Sequence, residues 1–202
     1  MKNNEVERIL RKDLTYFSIL SYDRGLVAAK GGNISARIPH TDYILITPSG
    51  VSLKDITFDI IIKVDLEGNV VDSRNNLRPS KETPFHISIY KNRREINSVC
   101  HLHPPFSTGL SVKGLSLPMV TAPAIVNLKE VPLIDFALMG TPELHNMVDA
   151  AIKKYKDARA FLLKQHGIIA MGVDIPTAFY IADLVEDCAK VAFISSMIKG
   201  KE

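Results

Sequence analysis

The segment Ser98-Val99-Cys100-His101-Leu102-His103-Pro104-Pro105 constrains the fold of this chain more than any other stretch, because it reads as a β-strand with a blunt end. Along a strand, successive side chains alternate between the two faces of a sheet. His101 and His103 therefore point one way, while Cys100 and Leu102 point into the opposite layer. The proline pair stops the strand, since proline fixes φ and has no N–H to give to a ladder. Two imidazoles on one side of an exposed strand end are the start of a metal site.

The remaining pattern supplies a sheet for that strand and helices to cover it. Val6, Ile9, Leu10, Leu14, Phe17 and Leu20 recur at three- and four-residue spacing, which predicts an amphipathic helix from Val6 to Tyr22 closed by Gly25. Short strand-like runs follow at 33–38, 43–47 and 60–64, the last before a Glu67-Gly68-Asn69 turn, and together they read as an antiparallel meander. Ser80 or Thr83 caps a helix that runs to about Arg94, with Pro84 suited to its first turn. Beyond the histidine strand, the pattern predicts a short helix from Pro105 to Val112, a loop holding Pro118 and Pro123, and an apolar run from Val131 to Phe136. A helix opening at Thr141-Pro142 follows, then a strand pair around Gln165-His166-Gly167 and a long helix over about 176–198. Strands and helices do not alternate regularly, so the expected class is α+β, a mainly antiparallel central sheet flanked by helices.

At 202 residues with no Pro/Gly/Ser-rich linker, the chain reads as one domain, 1–202. A net charge of +3 with scattered basic residues gives no nucleic-acid footprint. The polar, acidic start and the lack of any run of about 18 apolar residues give no membrane or export signal. The 2 cysteines, Cys100 and Cys188, are too few for a disulfide framework, so a reducing cytoplasmic setting is expected.

Among the 6 histidines, His40 falls in a polar turn and His145 on an exposed-looking helix face. His86 falls on the core or edge side of a helix, where a structural hydrogen bond is its expected role. His166 sits between two apolar strands beside Gly167, which allows a tight turn and close backbone approach. With His101 and His103 it completes a three-imidazole set of the kind that holds catalytic zinc and leaves one position open to substrate. Neutral imidazoles leave the cation's charge uncompensated, which makes it a strong Lewis acid toward carbonyl or alkoxide oxygen. Glu82, in the first turn of a helix, is the candidate acid/base. Gly31-Gly32-Asn33-Ile34-Ser35, Thr47-Pro48-Ser49-Gly50 and Pro79-Ser80-Lys81 are turn-like segments whose backbone N–H groups suit phosphate oxygens, with Lys81 adding a cation.

Taken in order, Gly-Gly-Asn-Ile-Ser, Ile-Thr-Pro-Ser-Gly, Pro-Ser-Lys-Glu, His-Leu-His-Pro-Pro and Gln-His-Gly resemble the motifs of the class II aldolase/adducin family from about Val6 to Met197. The resemblance implies zinc, or another divalent metal such as manganese or cobalt, on His101, His103 and His166. It places Glu82 where the family has an acid/base glutamate that can also ligate the metal. Gly32, Asn33, Ser49, Gly50, Ser80 and Lys81 fall where sugar-phosphate members hold the phosphate. It also implies a homotetramer with interfacial active sites and a small phosphorylated sugar or sugar acid as substrate. The implied activity is a lyase that cleaves a ketose 1-phosphate, such as L-fuculose 1-phosphate, into dihydroxyacetone phosphate and an aldehyde through an enediolate.

Two departures keep other activities of the family in view. The family's fuculose-phosphate aldolases carry a tyrosine in the loop after the histidine strand, whereas Leu117–Pro123 contains none. The Pro-Ser-Lys-Glu form and Glu130-Val131-Pro132-Leu133 are also similar to the family's 3-oxo-tetronate 4-phosphate decarboxylases. The ribulose-phosphate 4-epimerases differ in having an aspartate where this chain has Glu82. Retention of all three histidines and Glu82 argues against the purely structural role that the adducin head domain plays.

Overall fold

The computed structural model describes residues 3–74 and 76–198, and in it the alternating runs form one eight-stranded sheet. The strands are β1 (Asn33–Arg37), β2 (Tyr43–Ile46), β3 (Ile62–Asp65), β4 (Val70–Asp72), β5 (Ser98–Leu102), β6 (Leu133–Ile134), β7 (Ala160–Leu163) and β8 (Gly167–Gly172). They lie in the order β4-β3-β2-β1-β5-β8-β7-β6. All pairings are antiparallel except that between β6 and β7. The helices are α1 (Asn3–Asp23), α2 (Thr83–Asn92), α3 (Pro105–Val112), α4 (Ala122–Leu128), α5 (Pro142–Lys154) and α6 (Ile175–Met197). This is the expected α+β class.

Period-two patterning sorts the core into two layers. Ile34, Ala36, Leu45, Cys100, Leu102, Leu162 and Ile168 pack toward α1, α4 and α6. Ile44, Ile46, Val99, Phe161, Leu163 and Ile169 pack on the other face against α2 and α5. Counting on from Val99, His101 belongs to the α2 face, as do Asn33 and Ser35 on either side of Ile34. Gly25 takes φ +70 just past α1, a left-handed geometry that ends a helix cheaply only at glycine.

Several segments refine or correct the sequence reading; the helix expected to be capped by Ser80 or Thr83 begins at Thr83 with Glu82 at the cap position and no side-chain cap bond. The expected loop around Pro118 and Pro123 contains α4, whose cap is Thr121 accepting from Ala124 N–H, with proline in its first turn. The apolar run 131–136 pairs only at Leu133–Ile134, where β6 ends the sheet. The strand expected to begin at Ile60 begins at Ile62, because Phe58–Ile60 turns as a short 3-10 helix. The three exposed residues of β4 carry no half-buried alternation and give no strand signal.

One buried side chain ties the histidine strand to the rest of the molecule. Glu186 of α6 accepts from the N–H groups of Phe106 (3.1 Å) and Ser107 (2.9 Å) and from the Ser107 hydroxyl (2.7 Å). The carboxyl thus serves the orphan donors at the start of α3, immediately after the proline pair.

Candidate active site

At the end of β5, three elements bring imidazoles together. His101 is the fourth residue of β5, and His103 lies just past the strand end, where its N–H donates to Leu26 O (3.0 Å). His166 comes from the β7–β8 turn, which is made tight by Gln165 at φ +59 and held to α3 by the Gln165 N–H to Ser111 Oγ bond (3.2 Å). Ring centroids are 4.7 Å apart for His101 and His103, 4.7 Å for His101 and His166, and 5.0 Å for His103 and His166. Close approach depends on glycine. A Cβ on Gly167 would lie 2.3 Å from Leu102 O, and one on Gly31 would lie 2.6 Å from His103 Nδ1.

Glu82 meets this cluster from the N-terminus of α2. Its Oε2 is 3.1 Å from His101 Nε2 and its Oε1 is 3.4 Å from His166 Nε2. The donor set fits a divalent cation. One ligand atom from each of His101, His103 and His166 falls within 4.8 Å of the others. His101 Nδ1 lies 2.9 Å from Ile168 O, and because a carbonyl only accepts, Nδ1 carries the proton and Nε2 presents its lone pair to the cluster. Both ring nitrogens of His166 and Oε1 of Glu82 are buried without a hydrogen-bond partner, which is costly for groups that have no ligand to bind.

The electrostatics point the same way. Burial, reinforced by His101 and His166, pushes His103 down to about 3. Burial, with His101, pushes His166 down to about 4. At Glu82 burial works upward, but it is outweighed by the neighbouring His101 and His166 and by the Asn33 amide, which hold the carboxyl well below its usual range. Neutral His103 and His166 beside an ionised carboxylate are in the protonation state that metal binding requires. Zinc, manganese and cobalt all suit nitrogen and oxygen donors of this kind.

The three anion-binding candidates converge on the same cleft, a pocket of about 120 Å³ lined by Gly32, Asn33, Ser49, Gly50, Ser80, Lys81, Glu82, His103 and His166. Ser49 N–H donates to Arg78 O (2.8 Å), and Pro48 bridges Pro79, so the second and third loops are laced together. Thr47 Oγ1 accepts from Ile34 N–H (3.1 Å), which joins the second loop to the strand after Gly32. Ser80 Oγ accepts from Glu82 N–H (3.2 Å). The Asn33 amide is engaged at both ends, donating to Glu82 Oε2 (2.8 Å) and accepting at Oδ1 from His86 (2.6 Å).

Lys30, Met139 and Gly140 also line the cleft and were not singled out from sequence. The structural hydrogen bond expected of His86 is present on both ring nitrogens, to Asn33 and Ser35; Tyr90, bonded to Ser35, was not singled out, although four-residue spacing from Glu82 to His86 to Tyr90 stacks them on one face. His145, expected on an exposed helix face, is half-buried with its Nε2 lacking a partner.

The sequence profile of the class II aldolase and adducin N-terminal domain matches residues 12–193. A Methanococcus maripaludis protein named L-fuculose phosphate aldolase is 34% identical over 190 residues, spanning 93% of this chain and 99% of that one. An Escherichia coli O6:H1 protein named 3-oxo-tetronate 4-phosphate decarboxylase is 30% identical over 196 residues, spanning 94% and 89%. The crystal structure of L-fuculose-1-phosphate aldolase from Thermus thermophilus superposes with a TM-score of 0.81 at 26% identity, covering 93% of this chain and 94% of that one.

Proposed function

This chain belongs to the class II aldolase and adducin family and is a lyase, and on that premise we propose that it cleaves a ketose 1-phosphate of the L-fuculose 1-phosphate kind to dihydroxyacetone phosphate and an aldehyde. One observation carries the reading: a carboxyl group touches two members of a three-imidazole cluster, in a cleft also lined by Ser49, Gly50, Ser80 and Lys81. His101, His103 and His166 would hold zinc or a similar divalent ion, joined by Glu82 when no substrate is present. When bound, that ion supplies Lewis-acid stabilisation of negative charge on the substrate oxygens.

The protein's own groups do the rest. The loop amides, the Ser49 and Ser80 hydroxyls and Lys81 bind the phosphate and fix how deep the sugar enters. Asn33 orients Glu82. As the carbon–carbon bond breaks, the ionised Glu82 takes the proton from the hydroxyl on the carbon that becomes the aldehyde and passes it to the enediolate at carbon. The family resemblance implies a homotetramer whose neighbouring subunit completes the site. Exposed Val191, Phe193, Ile194 and Met197 on α6 offer an apolar face for such assembly. Among the described residues no helix is long and apolar enough to cross a membrane, and the buried free thiols of Cys100 and Cys188 support a cytoplasmic setting.

The 3-oxo-tetronate 4-phosphate decarboxylase relative favours a second reading, loss of carbon dioxide from a phosphorylated keto acid through the same kind of enediolate. A screen of ketose 1-phosphates and keto-acid phosphates with zinc, manganese and cobalt separates the two. Dihydroxyacetone phosphate and aldehyde release is expected; carbon dioxide without aldehyde would replace the first reading with the second. Glu82→Gln keeps metal binding and lowers turnover by about 100-fold or more; a fully active Glu82→Gln enzyme would remove Glu82 from the acid/base role.

A further inference from the structure

Behind Glu82 runs a line of buried side chains. Asn33 Nδ2 is 2.8 Å from Glu82 Oε2, His86 Nε2 is 2.6 Å from Asn33 Oδ1, and Ser35 Oγ is 2.7 Å both from His86 Nδ1 and from the Tyr90 hydroxyl. We propose that His86 is a positioning residue for the lyase reaction: through Asn33 it allows the Glu82 carboxyl one orientation, with Oε2 tied back and Oε1 left free toward His166 and the cleft. The inference rests on the reading of Glu82 as the proton-carrying group.

The direction of every bond follows from one end. Oε2 accepts, so Asn33 must turn its NH₂ toward Glu82 and its carbonyl toward His86. That carbonyl can only accept, so His86 carries its proton on Nε2. The neutral ring then has an acceptor at Nδ1, which takes the Ser35 hydroxyl proton. Ser35 Oγ is left to accept from the Tyr90 O–H. Flipping the Asn33 amide would set its oxygen against Oε2 and its NH₂ against the Nε2–H. Two contacts would become repulsive at once, and both lie in a buried site where unpaired polar groups are costly.

Packing holds the ring that enforces this. Phe85 stacks on His86 at 4.8 Å with the planes 17° apart, and the same Phe85 meets His101 edge-on at 5.5 Å. Counting from Glu82 at the N-cap of α2, His86 and Tyr90 follow at one helical turn each, and Asn33 and Ser35 lie one strand period apart on β1. A histidine kept only for packing needs no such directional pairing on both ring nitrogens. The consequence at the reaction centre is visible: Oε2 is engaged while Oε1 is the buried carboxyl oxygen without a partner.

The test uses the zinc-loaded enzyme with His86→Leu, His86→Gln and Glu82→Gln side by side. Leucine removes the donor to Asn33, whereas the glutamine amide can place an N–H near the Nε2 position. His86→Leu is expected to lower kcat by about 10- to 100-fold, with KM and bound zinc unchanged, and His86→Gln to recover most of the loss. Wild-type turnover in His86→Leu, or equal losses in leucine and glutamine variants that both bind zinc, overturns the inference. Full activity of Glu82→Gln overturns instead the reading on which it rests. Nitrogen NMR of the wild-type, zinc-loaded enzyme supplies a readout independent of any variant's folding: His86 must be neutral with its proton on Nε2, and a proton on Nδ1 or a charged ring refutes the arrangement.

Discussion

Acid should destabilise this protein through His86 by an amount that a single substitution removes. Burial, aided by His101 and His145 against the opposing Glu82, pushes the His86 imidazole down to about 3. In the unfolded chain the same ring titrates near its ordinary value of about 6.5. Above pH 6.5 neither state binds the proton and His86 contributes nothing to pH dependence. Between 6.5 and 3 the unfolded state binds it and the folded state does not, so stability falls as pH falls. At about 1.4 kcal/mol per pH unit below 6.5, the loss between pH 8 and pH 5 is about 2 kcal/mol, reaching about 4 kcal/mol near pH 3.5. Urea unfolding at fixed protein concentration measures it, followed by far-ultraviolet circular dichroism because the chain contains 0 tryptophans. Both wild type and His86→Gln are held in EDTA, so that proton competition for a metal does not enter. The other buried imidazoles contribute equally to both proteins and cancel. The wild type should therefore lose about 2 kcal/mol more than His86→Gln between pH 8 and pH 5. Parallel pH dependences would show that the unfolded and folded states protonate residue 86 alike, and the neutral buried ring would be wrong.

Two further perturbations probe the supports of the site. Glu186→Ala strips three hydrogen bonds from the first turn of α3 and should cost about 2–3 kcal/mol in urea unfolding; a change under about 0.5 kcal/mol would mean that α3 is held by its apolar face alone. Gly167→Ala places a methyl group 2.3 Å from Leu102 O and 2.8 Å from His103 Cδ2, so the strand end carrying the imidazoles must shift. Zinc affinity by competition with a chelating dye should drop at least about 10-fold, and unchanged affinity would show that the strand end yields freely.

What the sequence made legible follows from period and punctuation. The alternation through β5 put His101 and His103 on one face, and that is the face Val99 shares with α2. Turn residues located β1, β2 and the β7–β8 hairpin, because glycine, proline and asparagine mark backbone geometry directly. Helix α4 escaped because Pro123 reads as a breaker unless Thr121 is recognised as a cap that places proline in the first turn, where its missing N–H costs nothing. The apolar run 131–136 gave no strand bounds because such a run states burial, not pairing; only Leu133 and Ile134 find partners, on Leu162 and Leu163.

The network behind Glu82 illustrates a different boundary. Each half is periodic in plain view, Glu82, His86 and Tyr90 at helical spacing and Asn33 and Ser35 at strand spacing. Neither half predicts the other, because a period tells which side chains share a face and not which face of a second element meets it. Here the meeting is set by the β1–β5 ladder, which places Asn33 opposite His101, and by α2 lying across that same face of the sheet. A single register step in β1 would turn Asn33 and Ser35 into the layer of α1 and α6, leaving His86 two unpaired nitrogens in an apolar core. The buried polar line therefore works as a register pin as well as a carboxyl clamp: the pairing of β1 with β5 that orients Glu82 is also one that gives Asn33, Ser35, His86 and Tyr90 hydrogen-bond partners.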